Sequence, residues 1–253
     1  MNSLNLNHVR DYVNENIVDF HQRKLKSLAE LNLEKLLTKN PYLFKAKNLS
    51  KASELIDDLL NAFLSSSEEK LFGDFLEGLA VFVAEQTCNG HKSTAQGVDL
   101  EFFNNNTHYV VSVKSGPNWG NSSQQDKLEQ DLKTAVARLK QSHHTLNVQS
   151  VLGICYGKTK TSFIRGYMKI VGQNFWYLIS ENPNLYIEIV DPIGYEAKKH
   201  NDDFLKKRGG IINILTKQLI NKFCDKKTGE IDWSKLVQFN SGNYNPNKPF
   251  PNP

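Results

Sequence analysis

Between residues 98 and 113 the sequence alternates in polarity with a period of two, and one asparagine-rich tract interrupts the alternation. Val98, Leu100 and Phe102 alternate with Asp99, Glu101 and Phe103; Tyr109, Val111 and Val113 alternate with Val110, Ser112 and Lys114. Successive side chains of a strand point to opposite faces, and Asn104-Asn105-Asn106-Thr107-His108 is turn chemistry, so the segment reads as an antiparallel hairpin. Pairing symmetric about the turn sets Asp99 opposite Ser112 and Gly97 opposite Lys114. One face then carries Asp99, Glu101, Ser112 and Lys114, and the other carries Val98, Leu100, Phe102, Tyr109, Val111 and Val113. A slip of one residue would exchange the faces.

Helical periodicity precedes this hairpin. Val9, Val13, Ile17 and Phe20 share a face, and Leu28, Leu31, Leu33 and Leu36 continue it until Asn40-Pro41 breaks the pattern. A fresh helix starts near Ser50-Lys51-Ala52-Ser53-Glu54, and Ser65-Ser66-Ser67 offers caps for another, over residues 68–86. That last helix is apolar around almost its whole circumference, with Glu77 in the middle. A carboxylate there needs a partner, either a Lys or Arg, or a role in a metal or catalytic site. After the hairpin come a helix over 123–141, a strand over 148–156, strands over 162–171 and 185–190, a helix over 202–224 and an irregular Asn- and Pro-rich tail. The sum is an α/β (α+β) fold with a mixed central sheet flanked by helices. It divides into a helical N-terminal region (1–67), a sheet-bearing core (68–200) and a C-terminal helix with its tail (201–253).

The 253 residues are 39% hydrophobic and 10% aromatic, enough to build a sizeable core, which excludes global disorder. No apolar run is long enough to span a membrane, and the start Met1-Asn2-Ser3-Leu4-Asn5 lacks a secretory pattern, so a cytoplasmic location is expected. Cys88, Cys155 and Cys224 lie far apart, which argues against disulfide scaffolds and zinc fingers. A net charge of +4 permits a nucleic-acid partner.

Two carboxylates, a hydroxyl and an ammonium on one sheet face suit phosphodiester hydrolysis. Oxygen ligands hold Mg²⁺, the metal stabilises charge on the phosphate, and a lysine positions or activates water. The same group would also arise as cross-strand ion pairs on a solvated face. Other motifs fail. Gly157-Lys158-Thr159 would need a P-loop glycine at 152, which is Leu152. His143-His144 reads as a polar helix end, and Asp191-Pro192 as a turn after a strand.

Gly97-Val98-Asp99-Leu100-Glu101-Phe102, followed by a short loop and Ser112-Val113-Lys114, resembles the active-site hairpin of the PD-(D/E)XK nuclease superfamily. Lys114-Ser115-Gly116-Pro117-Asn118-Trp119-Gly120-Asn121-Ser122-Ser123-Gln124 is similar to the segment after the catalytic lysine in a subgroup of type II restriction endonucleases. The resemblance covers about residues 70 to 156. It implies a restriction-endonuclease-like fold, with Asp99 as central metal ligand and Lys114 as catalytic lysine. Ser112 stands where a second acid is expected. Glu77 is the favoured replacement and Glu101 the other; Asp126 and Glu129 are available if the acid has moved to the following helix. The superfamily's usual strand before the Asp-bearing strand has little room within residues 87–96.

The resemblance thus implies Mg²⁺-dependent cleavage of double-stranded DNA at a specific short site by a homodimer. A cognate DNA methyltransferase would belong to the same system without direct contact. Asn118, Trp119, Asn121, Ser122 and Gln124 are candidate DNA-facing residues, with Gln124 or Gln125 holding the lysine or a phosphate. Lys158, Lys160 and Arg165 extend this set, Arg165 as a base contact, and Lys198, Lys199, Lys206, Lys207 and Arg208 form a further basic cluster. The N-terminal helices are candidates for dimer contacts or DNA clamping.

Overall fold

The computed structural model describes residues 2–142, 147–158 and 160–246. His143-His144 and most of the tail lie outside them. Two compact units emerge, one from residues 1–21 and 70–197, the other from 22–69 and 198–253. The boundaries drawn from sequence fell at 67 and 200; by packing, the first 21 residues go with the sheet-bearing unit.

The sheet has strand order β1-β2-β3-β4-β6-β5, with β1 (His91–Lys92), β2 (Leu100–Asn104), β3 (Thr107–Lys114), β4 (Val148–Ile154), β5 (Ser162–Ile164) and β6 (Tyr167–Val171). β3, β4 and β6 are mutually parallel, and β1, β2 and β5 are antiparallel to their neighbours. The hairpin has the predicted register: Leu100 pairs with Val111, Phe102 with Tyr109, and Asn104 with Thr107. Its turn is Asn105-Asn106, with φ of 46° and 57°, a left-handed pair that asparagine tolerates and a two-residue hairpin requires. The missing strand fits into the narrow space as the two residues of β1, paired with Leu100 and Glu101.

One face of the sheet packs on the first half of α1 (Leu6–Ala29) and the second half of α4 (Ala52–Cys88). Leu100, Phe102, Val111 and Val113 meet Phe75, Leu79, Val83, Val13 and Ile17 there. Tyr12 stacks on Phe82 with ring centres 4.3 Å apart. α5 (Ser122–Ser142) covers the other face, where Leu128, Leu132 and Ala135 pack on Val110, Leu152 and Ile154. Each fully buried Leu or Phe contributes about 1.5–3 kcal/mol through removal from water. Gly153 on β4 lies flush under Phe175 of α6 (Gln173–Ser180), and a Cβ there would overlap the ring.

Three expectations need correction. Ser65-Ser66-Ser67 does not start a helix but lies inside α4, which runs unbroken for 37 residues. Leu64 and Leu71, both buried and two turns apart, carry the apolar stripe past the serines, and the Ser66 hydroxyl bonds back to the Ala62 carbonyl at 3.2 Å. Residues 185–190 are helical, in α7 (Leu185–Glu188) and the start of α8 (Val190–Ile193). Leu185, Ile187 and Ile189 look like one strand face, but Ile187 is exposed, and the buried residues Leu185, Ile189 and Pro192 keep helical spacing. Asp191-Pro192 therefore opens a helix, where proline lacks no needed N–H. Val98 packs on the α5 side rather than with Leu100, because its N–H still closes a turn on the Ala95 carbonyl and alternation begins only at β2.

The second unit is helical. α2 (Leu33–Leu36), α3 (Pro41–Ala46), α9 (Ala197–Phe223) and α10 (Trp233–Ser241) join parts of α1 and α4 around Leu28, Leu36, Leu59, Leu60, Leu215 and Leu219. Asn40 caps α3 through Tyr42 N–H, and Asp232 caps α10 through Lys235 N–H. Arg208 joins Asp57 at 2.6 Å and Asn61 at 2.8 Å, so this member of the basic cluster is a tie within the unit.

Candidate active site at the end of strand β3

Asp99 stands just before β2 and is fastened to β3. Its N–H donates to the Val111 carbonyl at 2.9 Å, and its Oδ2 accepts from the Val113 N–H at 2.6 Å and the Ser112 hydroxyl at 3.2 Å. Lys114 closes β3. Its Nζ donates to the Val113 carbonyl at 2.9 Å and lies 3.7 Å from Asp99 Oδ2. Asp99, Ser112 and Lys114 line a cavity of about 260 Å³ with Trp119, Gln124, Lys127 and Asp131. Gly97, at φ +71°, brings the backbone against Asp131; a Cβ there would lie 2.5 Å from its Oδ2.

Glu77 reaches this neighbourhood from α4. Partial burial pushes its carboxyl above the usual carboxylate range, and the Asp99 charge pushes the same way, against the pull of Lys92 and Lys114. Its Oε1 lies 3.5 Å from Lys92 Nζ on β1. Of the two partners expected for this carboxylate, the structure gives the salt bridge to Lys92; Glu77 lines a cavity of about 530 Å³ with Asp74, Glu85 and Lys92, apart from the one that holds Asp99 and Lys114. Glu101 faces elsewhere: Oε1 accepts from the Ser93 hydroxyl at 2.5 Å, and Oε2 lies 3.0 Å from His108 Nε2. Asp126 pairs with Arg165, and Glu129 pairs with Lys133 at 2.6 Å and Arg165 at 3.5 Å. Among the described residues no three His, Cys, Asp or Glu side chains form a ready metal cage. Mg²⁺ usually takes one or two carboxylates and keeps several waters, so Asp99, with or without Glu77, is a donor of the kind that suits it.

The family model of the type II restriction endonuclease EcoO109I matches residues 7–201, from α1 through the sheet into the start of α9. The chain belongs to this restriction-endonuclease family. No curated protein matches it. The match extends well beyond residues 70–156, where the sequence carried its resemblance, and takes in the N-terminal helix that packs on the sheet.

In this restriction endonuclease the side chains of the segment after Lys114 hold one another. Asn121 Oδ1 accepts from the Gln124 N–H at 3.1 Å and the Ser123 hydroxyl at 2.8 Å, while Gln124 Oε1 accepts from the Asn121 N–H at 3.0 Å. This reciprocal capping box fixes the start of α5 beside the cavity. Gln125 donates to the Gly120 carbonyl at 3.2 Å. The Trp119 ring centre is 5.8 Å from Lys114 Nζ. Asn118, Ser122, Lys158 and Lys160 are exposed. Arg165 is at φ +48° in the tight turn between β5 and β6, its guanidinium held by Asp126 and Glu129. Lys127 and Asp131 escaped the sequence reading. They flank Leu128, which marks the inward face of α5, and with Gln124 they follow the helical spacing that such a face produces.

Proposed function

We propose that this restriction endonuclease hydrolyses phosphodiester bonds of double-stranded DNA at a specific short sequence, using Mg²⁺, with Asp99, Glu77 and Lys114 as its working groups. The observation that carries the reading is the fastening of Asp99 to β3, which sets a carboxylate beside the Lys114 ammonium in one cavity; Glu77, which lines a separate cavity, lies within electrostatic reach of both. Asp99 and Glu77 would hold the ion, which when bound supplies positive charge to the phosphate and lowers the pKa of water. The Val113 N–H and Ser112 hydroxyl fix one oxygen of Asp99 and so orient the carboxylate. Lys114, held by the Val113 carbonyl, presents its remaining N–H bonds to the attacking water or to a phosphate oxygen. Cutting both strands with one site per chain calls for a homodimer on symmetric DNA. A cytoplasmic setting with a cognate DNA methyltransferase, not in direct contact, completes the reading.

Ser112 favours a second reading, a DNA-binding protein on a nuclease core that has lost its chemistry, since β3 offers a hydroxyl where an acid is expected. Digestion of long unmethylated DNA with Mg²⁺, followed by sequencing of the ends, decides between them. Discrete fragments are the expected result. A smear would mean a nonspecific repair nuclease, and intact DNA would support the binding protein.

A further inference from the structure

We infer that Lys127, on the second turn of α5, is the residue that grips a DNA phosphate in the Asp99–Lys114 cavity; this rests on the function proposed above. The cavity carries two carboxylates, Asp99 and Asp131, against two ammonium groups, Lys114 and Lys127. Lys114 is already engaged, by Asp99 at 3.7 Å and the Val113 carbonyl at 2.9 Å. The charges of the cavity balance, Lys114 is partly engaged, and a phosphodiester entering there gains from a second, uncommitted cation. Lys127 forms no hydrogen bond or ion pair with the described residues that the structure gives, and it lines the same cavity.

Its place on the helix has no other evident purpose. Asp131 follows Lys127 by four residues, the less favourable order for such a pair, and the two form no salt bridge. Two of its neighbours on α5 are matched: Glu129 precedes Lys133 in the favourable order and is bonded to it, and Asp126 holds Arg165. The capping box of Asn121 and Gln124 fixes where α5 begins, and thereby where Lys127 stands. An exposed ammonium on a long stem, beside a fixed catalytic face, suits a phosphate that is bound at each encounter and released afterwards.

The test is equilibrium binding of a short fluorescent DNA duplex to the full chain across a salt series, without divalent metal. Lys127→Ala should weaken binding about tenfold at low salt and reduce the slope of log K against log salt by about 0.9, the value of one phosphate contact. Lys127→Arg should restore both. Lys133→Ala, which removes a cation of the same helix paired with Glu129, should keep the wild-type slope. A Lys127→Ala protein with wild-type affinity and slope overturns the inference, and so does equal loss in Lys133→Ala, which would make Lys127 one of many surface charges. Binding by wild type without cleavage in Mg²⁺ would instead overturn the catalytic reading while leaving the Lys127 result to stand on its own. If wild type does not bind the duplex, both fail.

Discussion

Glu101 and His108 face each other across the β2–β3 pair, with Oε2 and Nε2 3.0 Å apart, and the second carboxylate oxygen of Glu101 accepts from Ser93. The carboxylate thereby ties the short edge of the sheet to the hairpin, and its two oxygens are occupied. Glu101→Gln should lower stability by about 1–2 kcal/mol, the cost of weakening a partly buried hydrogen-bonded carboxylate. Cleavage and its Mg²⁺ requirement should stay near wild type. Slow cleavage rescued by high Mg²⁺ would put Glu101 in the metal site instead.

Glu77 should behave in the opposite way. Its carboxyl titrates above the usual range in the folded protein, so folding favours the protonated form. The unfolded chain releases that proton at lower pH, and stability is lost as pH rises from the unfolded pKa through the folded one. Glu77→Gln, measured with chelator present, should therefore melt higher than wild type at pH 8, with little difference at pH 4. The same variant should cut slowly and need more Mg²⁺. A variant that is less stable at pH 8 and cuts normally would make Glu77 only the partner of Lys92.

Asp99→Asn preserves volume and removes charge. It should abolish cleavage while keeping the fold and DNA affinity, and Lys114→Ala should lose at least about a hundredfold in single-turnover rate, roughly 2.7 kcal/mol of barrier. An Asp99→Asn protein that cuts at the wild-type rate would move the site elsewhere.

Arg165 occupies a turn position that asparagine would fill with less strain. Arg165→Asn relieves the backbone and removes the bridge to Asp126 and Glu129, two effects of opposite sign, so the melting temperature should change little. DNA discrimination should relax if the guanidinium leaves its acidic partners to address a base. Unchanged discrimination would make Arg165 a fastening of the β5–β6 turn to α5.

The hairpin was legible because its two signals agree: alternation defines the strands, and Asn105-Asn106 can adopt the left-handed turn that sets the register. The register sets Ser112 and Lys114 on one face, and Asp99, just before β2, joins them through its bonds to β3; the roles of Asp99 and Lys114 are what the family resemblance implies. Local signals failed where packing decided. Three serines look like a cap, yet they lie inside α4, between buried Leu64 and Leu71. Leu185, Ile187 and Ile189 alternate like a strand, yet burial follows helical spacing. Lys127 and Asp131 were hidden because a charged residue on an amphipathic helix reads as solvated until the facing strand is placed.

The contact between Gly153 and Phe175 also bears on how far sequences of this fold can drift apart. A central strand usually accepts any β-branched residue, so its composition wanders freely among relatives. At position 153 the aromatic ring occupies the space of a side chain, and a larger residue there is admissible only with a smaller one at 175. A gain of volume at 153 must be matched by a loss at 175. In a collection of diverged sequences this pair would keep its reciprocal sizes after the charged residues of the surface had been replaced, and would align β4 with α6 where little else does.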